Sequence, residues 1–355
     1  MAYNEISTEQ GSIYFIRERN LITKELSPFV KIGLTGLHRK ATNRKNDLQT
    51  GNPRELFVEH EVMVPCVRAI ETALRYRFLE QNVNLEWHIF SESSKYQIQD
   101  ALEYCEKLKS QFAEHSSFID EAKRLDKTPS KGIPIPPSEE ALYWRNEVLL
   151  RHEIVKLGQI AAAAQRTKAK ECFHSGDQIP AGVKIIERQI SEIDWKNFRK
   201  AYPDIVNNYI KCRLSGVFKV ISKKAQNKTK TALRILHAEY ETSKFFELFF
   251  AEENFADYSL ELRQQQIKIQ QLTKLSHIEK EIALCHLKVI CGTAPGITNI
   301  CSWVRELSPP RLDTRALKEE HRALLIPFTS SRKLVTTVLK RSAGEIAENL
   351  LSKNP

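Results

Sequence analysis

The sequence predicts an α+β N-terminal domain followed by a mainly α-helical C-terminal part. Three observations support this fold class: β-branched and aromatic runs before residue 92, a proline-rich stretch over residues 126–140, and apolar residues at helical spacing after it. The chain has 355 residues, enough for two or three domains, and its 41% hydrophobic content is enough to fill their cores.

Residues 1–125 alternate between strand and helix patterns. Runs rich in β-branched and aromatic residues, or with alternating polarity, predict three strands: Ser12–Ile16, Phe29–Leu34 and Leu56–Val64. Polar or amphipathic helical patterns predict three helices: Arg39–Gln49, Ala69–Leu79 and Ile98–Phe112. We therefore expect a small antiparallel sheet flanked by helices.

The stretch DKTPSKGIPIPPSEE over residues 126–140 holds four prolines and one glycine, which is typical of an extended, semi-rigid linker. A cut near Pro134 is therefore expected to release a soluble N-terminal fragment from residues 141–355. Within that second part, Leu260–Ile290 is a long amphipathic stretch. We interpret it as a bundle helix, with a coiled-coil or hairpin arm as the alternative.

The second part also contains an internal repeat, at about residues 142–234 and 276–345. Leu150–Gly158 resembles Leu284–Gly292, and the segment from Asp194 aligns with the segment from Asp313 at an offset of 119 residues. Chance alignment of apolar helices is the alternative. Both copies lead into basic stretches without acidic residues, which favours duplication.

The charge balance favours a polyanionic partner. With 54 Lys and Arg against 44 Asp and Glu, the chain carries a net charge of +10, which suits nucleic acid or an acidic membrane surface. The polar N-terminus, the lack of an 18-residue apolar run and seven scattered cysteines without a C-x-x-C pair predict a cytoplasmic protein that does not span a membrane.

One basic cluster is a candidate DNA contact. Lys223, Lys224, Lys228 and Lys230 lie in a stretch without acidic residues, and we expect them to contact phosphates without reading sequence. The alternative is a solvated helix face.

Several short motifs before residue 92 follow one another in a characteristic order. They are GSIY at Gly11–Tyr14, VKIGLT at Val30–Thr35, the segment Arg44–Pro53, AIETAL at Ala69–Leu74 and EWH at Glu86–His88. In this order the set resembles the GIY-YIG nuclease superfamily, in particular the phage and bacterial branch whose second motif reads K-I-G. The resemblance covers residues 10 to 92.

The resemblance implies a phosphodiesterase site. Tyr14 would act as general base or orient the attacking water, and Lys31 would position the nucleophile, hold the phosphate or, once desolvated, serve as base. Arg44 would hold the non-bridging oxygens of the phosphate. Glu71 would be the metal-binding carboxylate, for Mg²⁺ or Mn²⁺, with the ion keeping most of its waters.

Further residues are expected to support this site. Gly33 would permit close approach of the backbone to the phosphate, and Thr35 follows it on the same strand. Arg39 competes with Arg44 for the phosphate role, although the spacing to the Gly-Asn-Pro turn favours Arg44. Arg75 stands where this branch often has histidine, and His88 stands where it usually has phenylalanine.

Each assignment also has a structural alternative. Tyr14 fits a half-buried structural tyrosine, and Lys31 fits an edge-strand lysine. Glu71 and Arg75 are four residues apart, which also suits an ordinary ion pair on one helix.

The C-terminal copy carries a second, looser resemblance. Gly292–Gly296, Cys301–Trp303, Asp313, Lys318–His321 and the Arg332-Lys333 pair are similar to the tail of phage recombination exonucleases of the lambda type, without their catalytic carboxylates. We interpret this half as an accessory module beside a nuclease.

The sequence thus predicts a divalent-metal-dependent endonuclease acting on double-stranded DNA, in a phage or anti-phage setting, with homo-oligomerisation left open. The alternatives are a non-catalytic nucleic-acid-binding or sensor protein and an adaptor of a repair complex.

Overall fold

The computed structural model describes residues 6–84, 86–91, 96–177, 183–212, 214–221 and 260–339. Within these ranges the protein is a mixed α/β structure with a small antiparallel sheet and a helical part. In the same ranges, no helix combines the length and the apolar character needed to cross a bilayer.

The N-terminal sheet has five antiparallel strands: β1 Gly11–Arg19, β2 Leu26–Gly36, β3 Glu55–Val64, β4 Asn82–Asn84 and β5 Trp87–Ile89. Their order across the sheet is β3-β1-β2-β5-β4. The three strands expected from the sequence are β1, β2 and β3. The short strands β4 and β5 were not predicted, because three-residue strands are too short to show alternation.

Three helices flank this sheet: α1 Ala41–Gln49, α2 Val67–Arg77 and α3 Ile98–Asp126. Because side chains alternate along a strand, β1 directs Ile13 and Phe15 into a core with α2 and α3, where they meet Ile70 and Leu74. The opposite face directs Tyr14 into a smaller cluster beside α1 and β3. The α1 side of the sheet is therefore where the residues of the first two motifs meet.

Two long helices dominate the second part: α4 Glu139–Ser175 and α7 Leu260–Cys291. They are antiparallel, since Gly158 faces Thr273 while the earlier Arg151 pairs with the later Glu279. Ile278 of α7 belongs to the same core as the N-terminal sheet. The N-terminal core thus includes a helix that lies more than 130 residues further along the chain.

The proline-rich segment between α3 and α4 is extended, but it is attached along its length. Its backbone N–H groups bind carbonyls of residues 293–305: Ser130 donates to Arg305, Lys131 to Thr293 and Ile135 to Gly296. Together with Ile278 in the core, this attachment does not support the expectation that the N-terminal part separates cleanly at Pro134.

Between and after the long helices lie two similar units. The first comprises β6 Val183–Ile193, α5 Trp195–Ala201, α6 Pro203–Asn208, β7 Ile210–Lys211, β8 Leu214–Ser215 and β9 Lys219–Val220. The second comprises β10 Gly296–Ile297, β11 Cys301–Ser302, β12 Glu306–Leu307, β13 Arg311–Leu312, α8 Thr314–Glu320, α9 Arg322–Leu325 and β14 Thr329–Leu339. An offset of 119 residues maps α5 onto α8 at both ends.

Strands of the two units pair with each other, β14 with β6, β13 with β7, β12 with β8 and β11 with β9. The expectation that the second part is almost wholly helical misses these strands. Their partners lie more than 80 residues away along the chain, and pairing over that distance leaves little trace in a local pattern.

Candidate active site

Tyr14 and Gly33 lie directly opposite each other on β1 and β2. Tyr14 is only 1% exposed, and a Cβ atom added to Gly33 would lie 2.6 Å from Cζ of the Tyr14 ring. The phenol therefore crosses β2 at a position where the facing side chain is only a hydrogen atom. Gly33 serves the placement of Tyr14, a more specific role than the backbone approach expected from the sequence.

Arg44 reaches Tyr14 from α1. A hydrogen bond joins the two side chains, and since a guanidinium has only donors, Arg44 donates to the phenolic oxygen. This bond raises the pKa of Arg44 above its ordinary value. For Tyr14, burial raises the pKa, and the bond from Arg44 opposes that rise. The phenol therefore stays protonated at neutral pH.

The structure distinguishes Arg44 from Arg39. Arg39 forms an ion pair with Asp47, whereas Arg44 lies 3.7 Å from the same carboxylate and also binds Tyr14. The side chain of Arg44 is 37% exposed, so it is partly open to solvent. Arg44 is thus the arginine that contacts Tyr14, and its assignment as the phosphate ligand stays a prediction.

Lys31 is buried on the same face of the sheet as Tyr14. It is 6% exposed, and its Nζ donates to Glu86 Oε2 at 2.5 Å while lying 5.8 Å from the centroid of the Trp87 ring. The buried Nζ of Lys31 is thus held by a carboxylate, and its role as phosphate ligand, positioning group or base stays a prediction.

Glu86 is the residue that sequence reasoning missed. Besides holding Lys31, its charge raises the pKa values of both Tyr14 and Arg44, so it lies close to both groups. The only signal was its place in the Glu-Trp-His motif, where it is the one acidic residue. Its link to Lys31 spans 55 positions, which a local pattern cannot reveal.

Glu71 approaches from α2. It is 8% exposed, Arg75 donates to its Oε1 at 3.0 Å, and its charge contributes to the raised pKa of Tyr14. The ion pair on one helix and the place beside Tyr14 are thus both present. The structure brings together five groups, of which four were expected from the sequence: Tyr14, Lys31, Arg44, Glu71 and the additional Glu86.

The residues around Tyr14 fit only one mode of divalent-ion binding, in which the protein supplies few ligands. Among the described residues, no group of three or more His, Cys, Asp and Glu side chains could enclose a metal. Glu71 and Glu86 both act on the Tyr14 hydroxyl, so carboxylates are present at the site. Mg²⁺ is commonly held by one or two carboxylates together with waters and substrate phosphates, and these residues fit that mode.

His88 lies behind the site. It is fully buried, its Nδ1 is 3.1 Å from the carbonyl of Glu86, and Asn82 Nδ2 approaches its Nε2 at 3.4 Å. These contacts fit a neutral ring that donates from Nδ1. Burial lowers the pKa of His88 to about 3, which keeps the ring neutral. His88 is therefore a buried residue that contacts the turn carrying Glu86 from inside the fold.

Thr35 lies on the Tyr14 side of β2, where it faces Ser12 on β1. It is 4% exposed, and its Oγ1 is a buried hydroxyl with no hydrogen-bond partner among the described residues. We find no chemical role for it in this arrangement. The lysines expected to bind DNA, Lys223, Lys224, Lys228 and Lys230, lie outside the described residues.

No family model, no curated protein and no solved structure matches the chain.

Proposed function

We propose that this protein is a divalent-metal-dependent nuclease of the GIY-YIG type that hydrolyses phosphodiester bonds of DNA. One observation carries the proposal. Tyr14 and Arg44 share a hydrogen bond within the electrostatic reach of two carboxylates, Glu71 and Glu86, and the buried Lys31 is bound to the second of these. The order of the motifs in the sequence, which resembles that of the GIY-YIG superfamily, also supports the proposal.

Tyr14 is suited to orient the attacking water. Because Arg44 donates to its oxygen, the hydroxyl hydrogen of Tyr14 remains to be donated to another acceptor. The raised pKa of Tyr14 disfavours the phenolate and so disfavours the general-base role at neutral pH. Tyr14 therefore holds a water or phosphate oxygen in place and keeps its own proton.

Arg44 and Lys31 supply the positive charge. Phosphodiester hydrolysis builds negative charge on the phosphoryl oxygens, and cations fixed in advance stabilise that charge without reorganising. Arg44 is fixed by Tyr14, and Lys31 is fixed by Glu86 and Trp87. When bound through Glu71, a divalent ion would lower the pKa of its water and offset charge at the phosphate.

The direct test is nicking of supercoiled plasmid by the full-length protein with Mg²⁺, with Mn²⁺ and with chelator. We expect nicked circles to appear first, because one such site cuts one strand. Glu71→Gln keeps the shape but removes the charge, and we expect activity to fall at least 100-fold with unchanged folding. Glu103→Gln, an exposed residue on α3, is the matched control. Similar cleavage by the Glu71→Gln protein and the wild type would exclude this metal assignment.

Arg44 and Arg39 provide a second matched pair, since both contact Asp47 and only Arg44 binds Tyr14. Arg44→Ala should lower kcat more than it raises KM, because the charge that it offsets grows in the transition state. Arg39→Ala should stay within a few-fold of wild type. Single-turnover rates over a range of DNA concentrations separate the two effects, and a pure KM effect would make Arg44 a binding residue.

A non-catalytic nucleic-acid-binding or sensor protein is the second candidate. It is favoured by the internal pairing of the site, where Glu86 holds Lys31 and Arg75 holds Glu71. Such a protein would bind DNA with the same charged groups and show no cleavage with any divalent ion. The plasmid assay, run beside a binding assay, distinguishes the two candidates.

A further inference from the structure

The two similar units of the second part are related by an internal two-fold axis. Asp194 N–H donates to the carbonyl of Phe328 at 2.9 Å, and Asp313 N–H donates to the carbonyl of Tyr209 at 2.8 Å. The offset of 119 residues converts one bond into the other with the partners exchanged. This reciprocal exchange is the mark of an isologous contact, as in a two-fold dimer.

Strand pairing obeys the same relation. Ile193 faces Thr329 between β6 and β14, and Leu312 faces Ile210 between β13 and β7. Each of these pairs is the image of the other at the same offset. The core between the units is shared in the same way, with Phe198 and Val206 from the first unit beside Leu317 and Leu325 from the second.

Exposed cations occupy equivalent positions on the two central helices. Lys196 and Arg199 lie on α5, and the offset places Arg315 and Lys318 at the same positions of α8. All four residues are exposed. Lys318 Nζ lies 5.8 Å from the centroid of the Trp195 ring, so a cation of one unit reaches the helix of the other. We call these four residues the paired cation array.

The array is available to an anionic ligand. Arg315 pairs with Glu319 at 3.0 Å, but the side chains of this pair are 89% and 63% exposed. Surface pairs of this kind contribute little free energy and exchange readily for another anion. Over residues 183–221 and 301–339, basic residues outnumber acidic residues by about two to one, which adds a favourable field.

We infer that the paired cation array binds the two phosphate backbones of a DNA duplex across the internal two-fold axis. The inference rests on the proposed function, which makes DNA the substrate. The backbone of a duplex has two-fold axes perpendicular to its length whatever its sequence, so two equivalent cation sets can meet its two strands alike. A single strand has no such symmetry and could engage both sets only by distortion.

The test is the salt dependence of binding by full-length protein carrying Glu71→Gln, in chelator, so that no cleavage intervenes. The probes are a fluorescent duplex of about 20 base pairs and the same single strand, at several salt concentrations. The variants are Lys196→Gln with Arg199→Gln, then Arg315→Gln with Lys318→Gln, and then all four. Lys107→Gln with Lys131→Gln, two exposed lysines elsewhere, is the charge-matched control.

For the duplex, each lost phosphate contact lowers the slope of log K against log salt by about 0.9, so each double variant should lose up to about 1.8. The slope should fall by similar amounts in the two double variants and by about twice as much in the fourfold variant. In the control the slope should hardly change. Lys196→Arg with Lys318→Arg keeps the charges and should keep the wild-type slope, which separates charge from folding.

Three results would overturn the inference: a control that loses as much as the array variants, one double variant that carries the whole loss, or an equal loss with the single strand. The plasmid assay on protein with Glu71 intact reports separately on the proposed function. Array-dependent duplex binding without any cleavage would retain this inference and reject the nuclease.

Discussion

At the scale of single residues, Gly33 is a position of the site at which the structure has no room for a larger side chain. The Tyr14 ring occupies the space that any other side chain would need, since a Cβ there would lie 2.6 Å from Cζ of the ring. The second motif of the sequence thus has a steric meaning: its glycine makes room for the tyrosine of the first motif.

Gly33→Ala should therefore displace Tyr14, break its bond with Arg44 and abolish cleavage, with a loss of stability of about 1–3 kcal/mol from overpacking. Gly36→Ala is the control on the same strand, because the nearest atom to its Cβ is Glu9 Oε1 at 3.8 Å. Denaturant unfolding and plasmid nicking measure the two effects. Equal tolerance of both substitutions would contradict the placement of Tyr14.

His88 gives the site a pH dependence of stability. Its pKa is about 3 in the folded protein against 6.5 for the ordinary side chain. Between these pH values the unfolded chain binds a proton that the native state does not. The free energy of unfolding should therefore fall as pH drops below about 6.5, by up to about 1.4 kcal/mol per pH unit from this residue.

His88→Phe should remove that contribution. The free energy of unfolding of the variant, relative to that of wild type, should therefore increase as the pH is lowered from 7.5 to 5. Urea unfolding at several pH values measures this, with the exposed His38→Gln as control. A difference independent of pH would show that His88 is not buried as a neutral ring.

At the scale of elements, the contact between α4 and α7 depends on Gly158. A Cβ at this position would lie 2.9 Å from Cβ of Thr273, whose hydroxyl donates to the carbonyl of Ile269 at 2.7 Å. The glycine thus lets two long helices approach closely, although glycine is a poor helix former.

Gly158→Ala should improve helix propensity by about 1 kcal/mol and still destabilise the protein by about 1–3 kcal/mol, because the helices must separate. Thr273→Ala removes two of the three nearest atoms and should restore part of the loss. A double-mutant cycle by thermal unfolding measures the coupling. Additive effects would mean that the two residues do not meet.

At the scale of the whole molecule, the N-terminal core is not complete without α7. Ile278 of this helix lies in the core of the sheet, and Ile267 packs against Tyr76 and Leu79. The residues that surround Tyr14 all precede the linker. The hydrophobic core that supports their sheet, however, includes residues of α7 in the second part.

A chain ending at Asp126 should consequently expose this apolar surface, bind a hydrophobic dye and unfold at a lower temperature than the full chain. A chain ending at Leu339 keeps α7 and serves as control. Dye fluorescence and thermal unfolding provide the comparison. A shorter chain that is monomeric, free of dye and equally stable would show that the N-terminal part folds independently, as the linker composition suggested.

The sequence by itself determined the local features of this protein. Runs of β-branched and aromatic residues, alternation and helical patterns located β1 to β3 and the helices beside them, because those signals lie within a few consecutive residues. The order of the motifs selected Tyr14, Lys31, Arg44 and Glu71 as candidate site residues. Comparison of the sequence with itself found the offset between Asp194 and Asp313. Motif order and internal repeats are both features of the linear sequence, so no structure is needed to find them.

Only the tertiary structure decided how distant segments meet. The bond between Lys31 and Glu86, the entry of Ile278 into the N-terminal core and the pairing of β6 with β14 each join residues far apart in the sequence. Such contacts arise when chain folding brings together surfaces that bury apolar area or pair charges. Neither residue of such a pair carries a local signal of its partner, so these contacts could not be predicted from local sequence patterns.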